Sequence, residues 1–208
     1  MDRSSGFSRF LPGIYRDDVF LHWLRLTAAA FAGMIVGSYA VGLIAPNLAE
    51  QVYGWMVDAA QEAEIQNEDG SFSALPIFLH NFRAMIFSIL YGLIPFIYLP
   101  ALLLGINTMT LGFVGAYCVN NGMSIFVYLA GILPHGIFEL SAVVLSLSGA
   151  FYLCASVTRR IRTKEKGIVR NAFSLTVQLL FLHIGPLLLL AALVEAYVTP
   201  AILRAVMG

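Results

Sequence analysis

An all-α integral membrane bundle of about five transmembrane helices, with an amphipathic helix outside the bilayer, is the fold this sequence predicts. Three observations predict it. The 208 residues are 59% hydrophobic and only 12% charged, where a soluble domain carries about 25% charged residues, and the mean hydropathy is +0.82. Apolar runs of about 20 residues, the length that spans a bilayer, recur along the chain. Lys and Arg concentrate in two segments and are missing from a third, the asymmetry that sets membrane orientation. Net charge is zero, so no basic surface points to nucleic acid. The whole chain, 1–208, reads as one multi-pass domain.

The tail, 1–22, is polar and carries Arg3, Arg9 and Arg16. The first apolar run is too long for a signal-peptide core and predicts a span over 23–45. Further spans are predicted over 82–104, 109–133, 134–156 and 173–194. The segment after the fourth holds Arg159, Arg160, Arg162, Lys164, Lys166 and Arg170. The loop 46–80 holds no Lys or Arg, but carries Glu50, Asp58, Glu62, Glu64, Glu68 and Asp69. With five spans the basic segments fall in the cytoplasm and the acidic loop outside. That expects a plasma-membrane protein with its N-terminus cytoplasmic and its C-terminus extracytoplasmic.

Within the acidic loop, Leu48, Val52, Trp55, Met56, Ala59 and Ala63 recur at helical spacing. They predict an amphipathic helix resting on the outer mouth of the bundle or on headgroups, or serving as a docking surface. Asn67, Glu68, Asp69, Gly70 and Ser71 form a turn signal that ends it. Pro95 and Pro100 predict kinks in the second span. Asn120-Asn121-Gly122 falls mid-way along the third and predicts either a broken helix or Asn side chains bonded to neighbouring helices. Gly112, Ala116, Asn120 and Ser124 are four apart, and Ala142, Ser146 and Gly149 continue a small-residue face on the fourth span. Such stripes let helices approach closely. They predict contact between these two spans or with a second subunit. Cys118 and Cys154 lie in apolar runs and read as small buried hydrophobes.

The chemistry-bearing candidates lie inside the spans. His135 and Glu139 share one helix face, and Glu195 closes the last span. An ionisable group in a bilayer is disfavoured by about 2.5–3.5 kcal/mol on insertion scales and normally faces a partner or a cavity. Chain direction brings both acids to a similar depth. Three readings compete: a packing role for a neutral or hydrogen-bonded Glu139, a polar path for protons or cations, or a metal that activates water. The last has least support, because His22, His80 and His183 belong to other regions and no HExxH motif occurs. There is no phosphate-binding Gly loop and no GxSxG elbow. No cofactor and no metal are therefore assigned, and the chain is not read as an enzyme.

Several pieces in order carry a family resemblance. They are His80-Asn81-Phe82-Arg83-Ala84, then Leu104-Gly105-Ile106-Asn107 leading into Leu111-Gly112, then Leu133-Pro134-His135-Gly136-Ile137-Phe138-Glu139-Leu140, and last Glu195-Ala196-Tyr197-Val198-Thr199-Pro200. With these, the core 80–200 resembles the stage II sporulation protein M family of small multi-pass membrane proteins. The Pro-His-Gly-x-x-Glu piece is the most specific. This chain has Asn107-Thr108 where the family often has Asn-Gly. The resemblance marks Asn81, Asn107, His135, Gly136, Glu139, Glu195 and Pro200. It implies a membrane anchor, since the founding member anchors a complex that remodels septal peptidoglycan during engulfment. The expectation is a non-enzymatic scaffold of a cell-envelope complex, a homo-oligomer with a possible envelope partner. The alternatives are a small channel or proton- or cation-coupled transporter, and an intramembrane metal-dependent hydrolase.

Overall fold

The computed structural model describes residues 13–62, 73–96 and 98–207. Arg3, Arg9, Ala63, Glu64, Glu68, Asp69 and the turn at 67–71 lie outside the described residues, as does the side chain of Glu62. The described chain is helical almost throughout. A 3-10 turn, Gly13–Arg16, precedes α1 (Asp18–Ile44) and α2 (Pro46–Glu62). Next come α3 (Ala74–Tyr91), α4 (Pro100–Asn120) and the long α5 (Ile125–Thr163). The last helix runs as α6 (Ile168–Leu179), α7 (Gly185–Leu193) and α8 (Thr199–Met207). Two π-turns, Leu180–Ile184 and Val194–Val198, join these three pieces.

Five helices are long and apolar enough to cross a membrane: Asp18–Ile44, Ala74–Tyr91, Pro100–Asn120, Ile125–Thr163 and Ile168–Val206. The predicted number of spans is right, but their boundaries move. The second span ends at Tyr91, ahead of Pro95, and Pro100 opens α4 at its first turn. Proline is tolerated there because the first amides of a helix lack intrahelical partners anyway. Asn107 therefore lies inside α4, not in a loop. Asn121 caps the end of α4, and Gly122 takes a φ of 84° in the turn beyond it. The run predicted as the third span, 109–133, is therefore divided here: Asn-Asn-Gly ends α4, and the residues from Ile125 on belong to α5. The expected boundary before Pro134 is absent. Pro134 sits inside α5, so Glu139 lies toward the helix middle and not near its start.

The two last spans are 39 residues each, about 58 Å at the helical rise per residue. That is nearly twice the hydrocarbon thickness of about 30 Å. At the basic end, Asp17 caps α1 by accepting from the Val19 and Phe20 amides. Its other oxygen accepts the Tyr152 hydroxyl at 2.6 Å, fixing α1 against α5. There the connection between α3 and α4 is held to α5: the Phe96 amide donates to Thr158 and the Cys154 thiol to the Ile94 carbonyl. Both cysteines are free. Arg162 lies over the Phe96 ring.

At the opposite end, α2 lies on α4. Ala49 is buried against Phe113 and Ala116, and Tyr53 stacks on Tyr117 with ring centroids 4.1 Å apart. Glu50 and Asp58 face out. Of the predicted apolar stripe, Val52 and Met56 are half-buried, while Leu48 and Trp55 stay exposed.

The small-residue stripes are used within the chain. Gly112 faces α1, where a Cβ would stand 2.6 Å from the Ile35 carbonyl oxygen. Ala116 faces Gly42 of the same helix. On α5, Ser146 donates to the Met85 carbonyl of α3 at 3.2 Å, and Gly149 meets Thr176 of α6. So within the chain the two stripes face other helices and not each other. They wedge α1 onto α4, and α3 and α6 onto α5. Between them Phe20, Phe31, Leu104, Leu147, Phe151 and Leu188 form the apolar core.

Candidate functional site

The loss of the predicted break at Pro134 shapes the site. One continuous helical face of α5 carries both His135 and Glu139. On the last helix, Glu195 lies in the π-turn Val194–Val198, and Thr199 opens α8 directly after it. A π-turn inserts one residue into a helix, re-aims the residues beyond it and is frequent at functional sites. Here Glu195 and Thr199 both reach α5. The Nδ1 of His135 is 3.2 Å from the Thr199 hydroxyl oxygen, which orients the imidazole. A ring nitrogen of His135 and one carboxylate oxygen each of Glu139 and Glu195 lie within 4.8 Å of one another. The cluster that a common depth allows is formed.

A cavity of about 440 Å³ adjoins it. Trp55 and Met56 of α2 wall it, with His80 of α3, Asn107 and Thr110 of α4, and His135 and Glu139 of α5. Glu195 stands beside His135 and Glu139 but is not among the lining residues. Among the described residues, neither Glu139 nor Glu195 has a hydrogen bond or a cationic partner, and the ion pair formed there is Arg159–Glu165 at 2.9 Å, on the surface. A packing role would pair Glu139 with His135 or an Asn; among the described residues none of these hydrogen-bonds Glu139, and Nδ1 of His135 lies against Thr199.

The other polar candidates divide. Asn107 lines the chamber and turns its amide back to the Leu103 carbonyl at 2.8 Å. Asn120 is structural: its amide donates to the Gly42 carbonyl at 3.0 Å, closing α4 on α1. Asn81 is half-buried on α3, outside the chamber lining. His80, assigned by sequence to another region, is brought into the wall. Its signal was adjacency to Asn81 in the family-like segment, which spacing along the chain could not connect to α5.

The chamber is one-sided. Toward the basic end it stops at Phe31 and Val143. Beyond them come the core aromatics and a second cavity, of about 430 Å³, with no polar surface, walled by Trp23, Tyr98, Leu104 and Phe151. Trp23 stacks on Phe151 at 5.0 Å.

Among curated proteins and among solved structures, nothing matches this chain. The family model described as stage II sporulation protein M matches residues 26–200. That span takes in α1 and α2 as well as the pieces that carried the resemblance, and every residue of the His135, Glu139 and Glu195 cluster. By that match, the chain belongs to the stage II sporulation protein M family.

Proposed function

We propose that this protein is a non-enzymatic membrane scaffold of a cell-envelope assembly, whose polar chamber binds rather than conducts. The observation that carries this reading is the aromatic and aliphatic packing between the chamber and the basic end. A conducting path needs polar lining or water along its length. Family membership supports the same reading, since the founding member is an anchor. In this proposal the basic end, with Arg159, Arg160, Arg162, Lys164 and Lys166, faces the cytoplasm of the plasma membrane, as the positive-inside rule expects. The surface of α2, with Glu50 and Asp58 exposed beside Leu48 and Trp55, then faces out and receives an envelope protein or a second copy of the chain.

The test has two parts. A photo-crosslinking residue at position 58 should capture a stoichiometric envelope protein, or the chain itself, from native membranes. Proteoliposomes of the pure chain should show no proton or cation flux above empty vesicles. Flux without any captured partner overturns the scaffold. A proton- or cation-coupled transporter is the second reading, favoured by Glu139, an unpaired acid in the chamber wall. It requires Phe31 and Phe151 to move aside.

A further inference from the structure

We propose that His135, Glu139 and Glu195 bind one divalent transition-metal ion of the zinc class. The ion ties α5 to the last helix and turns an open coordination position toward the chamber. The inference goes beyond the scaffold reading, and its test reads metal rather than partners.

The donor set is selective. One imidazole nitrogen and two carboxylates suit zinc and its first-row neighbours, whereas magnesium and calcium take oxygen donors. The three donors lie within 4.8 Å of one another. Around tetrahedral zinc, with bonds of about 2.0–2.2 Å, donors stand roughly 3.4 Å apart. Binding requires the two Glu side chains to close that difference, and each has rotatable bonds with which to do so. His135 and Glu139, one helical turn apart, supply two adjacent ligands from one rigid face, and Glu195 comes from the re-aimed π-turn.

Charge points the same way. Two carboxylates share the interior of a membrane bundle, and among the described residues no Lys or Arg pairs with either. Buried charges are stable when paired or when they coordinate a metal. A doubly charged cation between them satisfies both at once.

The surroundings complete the site. Thr199, itself buried, holds the His135 ring through Nδ1, the kind of outer contact that orients metal-ligating histidines. His135 and Glu139 border the cavity of about 440 Å³, and Glu195 does not line it. A fourth ligand, water or a small anion, reaches the ion from there.

The experiment uses the full chain in mild detergent, stripped with chelator and then titrated with Zn²⁺ or Mg²⁺. Elemental analysis after desalting should find one zinc per chain. Zinc should raise the unfolding temperature, and magnesium should not. Glu139→Gln and Glu195→Gln, eluting at the wild-type volume, should bind zinc at least about tenfold more weakly. His22→Gln, exposed on α1 far from the cluster, should bind as wild type. Zinc X-ray absorption of the wild-type chain needs no folded variant. One nitrogen with oxygen neighbours supports the site, and sulfur or several imidazoles overturn it. A wild-type chain that takes up no zinc overturns the proposal, as does undiminished zinc binding in both Gln variants.

Discussion

Gly112 gives the most exacting test of the packing. A Cβ at this position would stand 2.6 Å from the Ile35 carbonyl oxygen and 2.8 Å from the Tyr39 nitrogen, and would overlap the Ser38 hydroxyl. The first two are backbone atoms of α1 and cannot rotate away. Ordinary contact begins near 3.5 Å, so Gly112→Ala must push α1 off α4 by about 0.9 Å. That motion strains the Asn120 hydrogen bond to Gly42 and the seat of Ala49 on Ala116. Overpacking of this kind is destabilising by about 1–3 kcal/mol. Gly37→Ala is the internal control: it lies on α1 with nothing within 4 Å of its Cβ, and gains the helical preference of Ala over Gly, about 1 kcal/mol. Thermal unfolding in one detergent should place Gly112→Ala well below Gly37→Ala. Both should keep the wild-type oligomeric size, because the stripe is satisfied within the chain. If Gly112→Ala matches or exceeds Gly37→Ala in stability, the α1 to α4 contact is wrong. A change in size at unchanged stability would return the stripe to a subunit interface.

Other parts of the molecule give three further expected outcomes. Asn120→Ala should destabilise by about 0.5–1.5 kcal/mol, the net worth of its hydrogen bond to Gly42, with zinc uptake unchanged. Glu139→Gln and Glu139→Leu should both keep or raise stability in chelator, since Glu139 has no satisfied partner to lose. In wild type, free zinc at a hundred times its dissociation constant should add about 2.7 kcal/mol, and a variant that binds tenfold more weakly should keep about 1.4 kcal/mol of it. A fall in stability for Glu139→Leu alone would restore a hydrogen-bonded packing role. Impermeant thiol reagents applied from outside should label Asp58→Cys and spare Lys164→Cys, in a background lacking Cys118 and Cys154. The opposite pattern reverses the orientation.

Composition made the fold class legible, because five apolar runs in one chain leave little besides a helical bundle. Helix ends were harder. Pro95, Pro100 and Asn120-Asn121-Gly122 are true breaks, yet along the sequence they look like irregularities inside spans. An apolar run does not announce where the helix within it stops, and the connection from Leu93 to Leu99 is itself apolar. Pro134 misled in the other direction. A proline in a long helix can be carried by flanking turns and tertiary contacts, and α8 packs beside this stretch, with Leu203 against Gly131. The cluster was legible because His135, Glu139 and Glu195 are ionisable residues where ions are disfavoured, and chain direction fixes their depth. His80 was not, since its place depends on how α3 packs against α5. The fate of the stripes was hidden for the same reason. Spacing shows that a face is small, but not which helix will fill it.

The chamber and α2 form one mechanical unit, and this bears on how a scaffold uses a buried site. The first half of α2 is fastened to α4 through Ala49 and the Tyr53–Tyr117 stack. Its second half, Trp55 to Ala59, roofs the chamber and leaves Trp55 and Ala59 exposed. Local opening starts where buried contacts are few, so the roof opens before the fastening. The cluster below is held from other directions, by α5 and by the π-turn of the last helix. Lifting the roof therefore exposes His135 and Glu139 without disturbing their spacing. In the proposed assembly, a protein docked on the outer surface of α2 would hold the roof down, and an anion on a metal bound at the proposed site would push against its underside. The two events are linked through one helix, so each must change the affinity of the other by the same factor. Measuring zinc affinity with and without the crosslinked partner at position 58 reads that coupling directly.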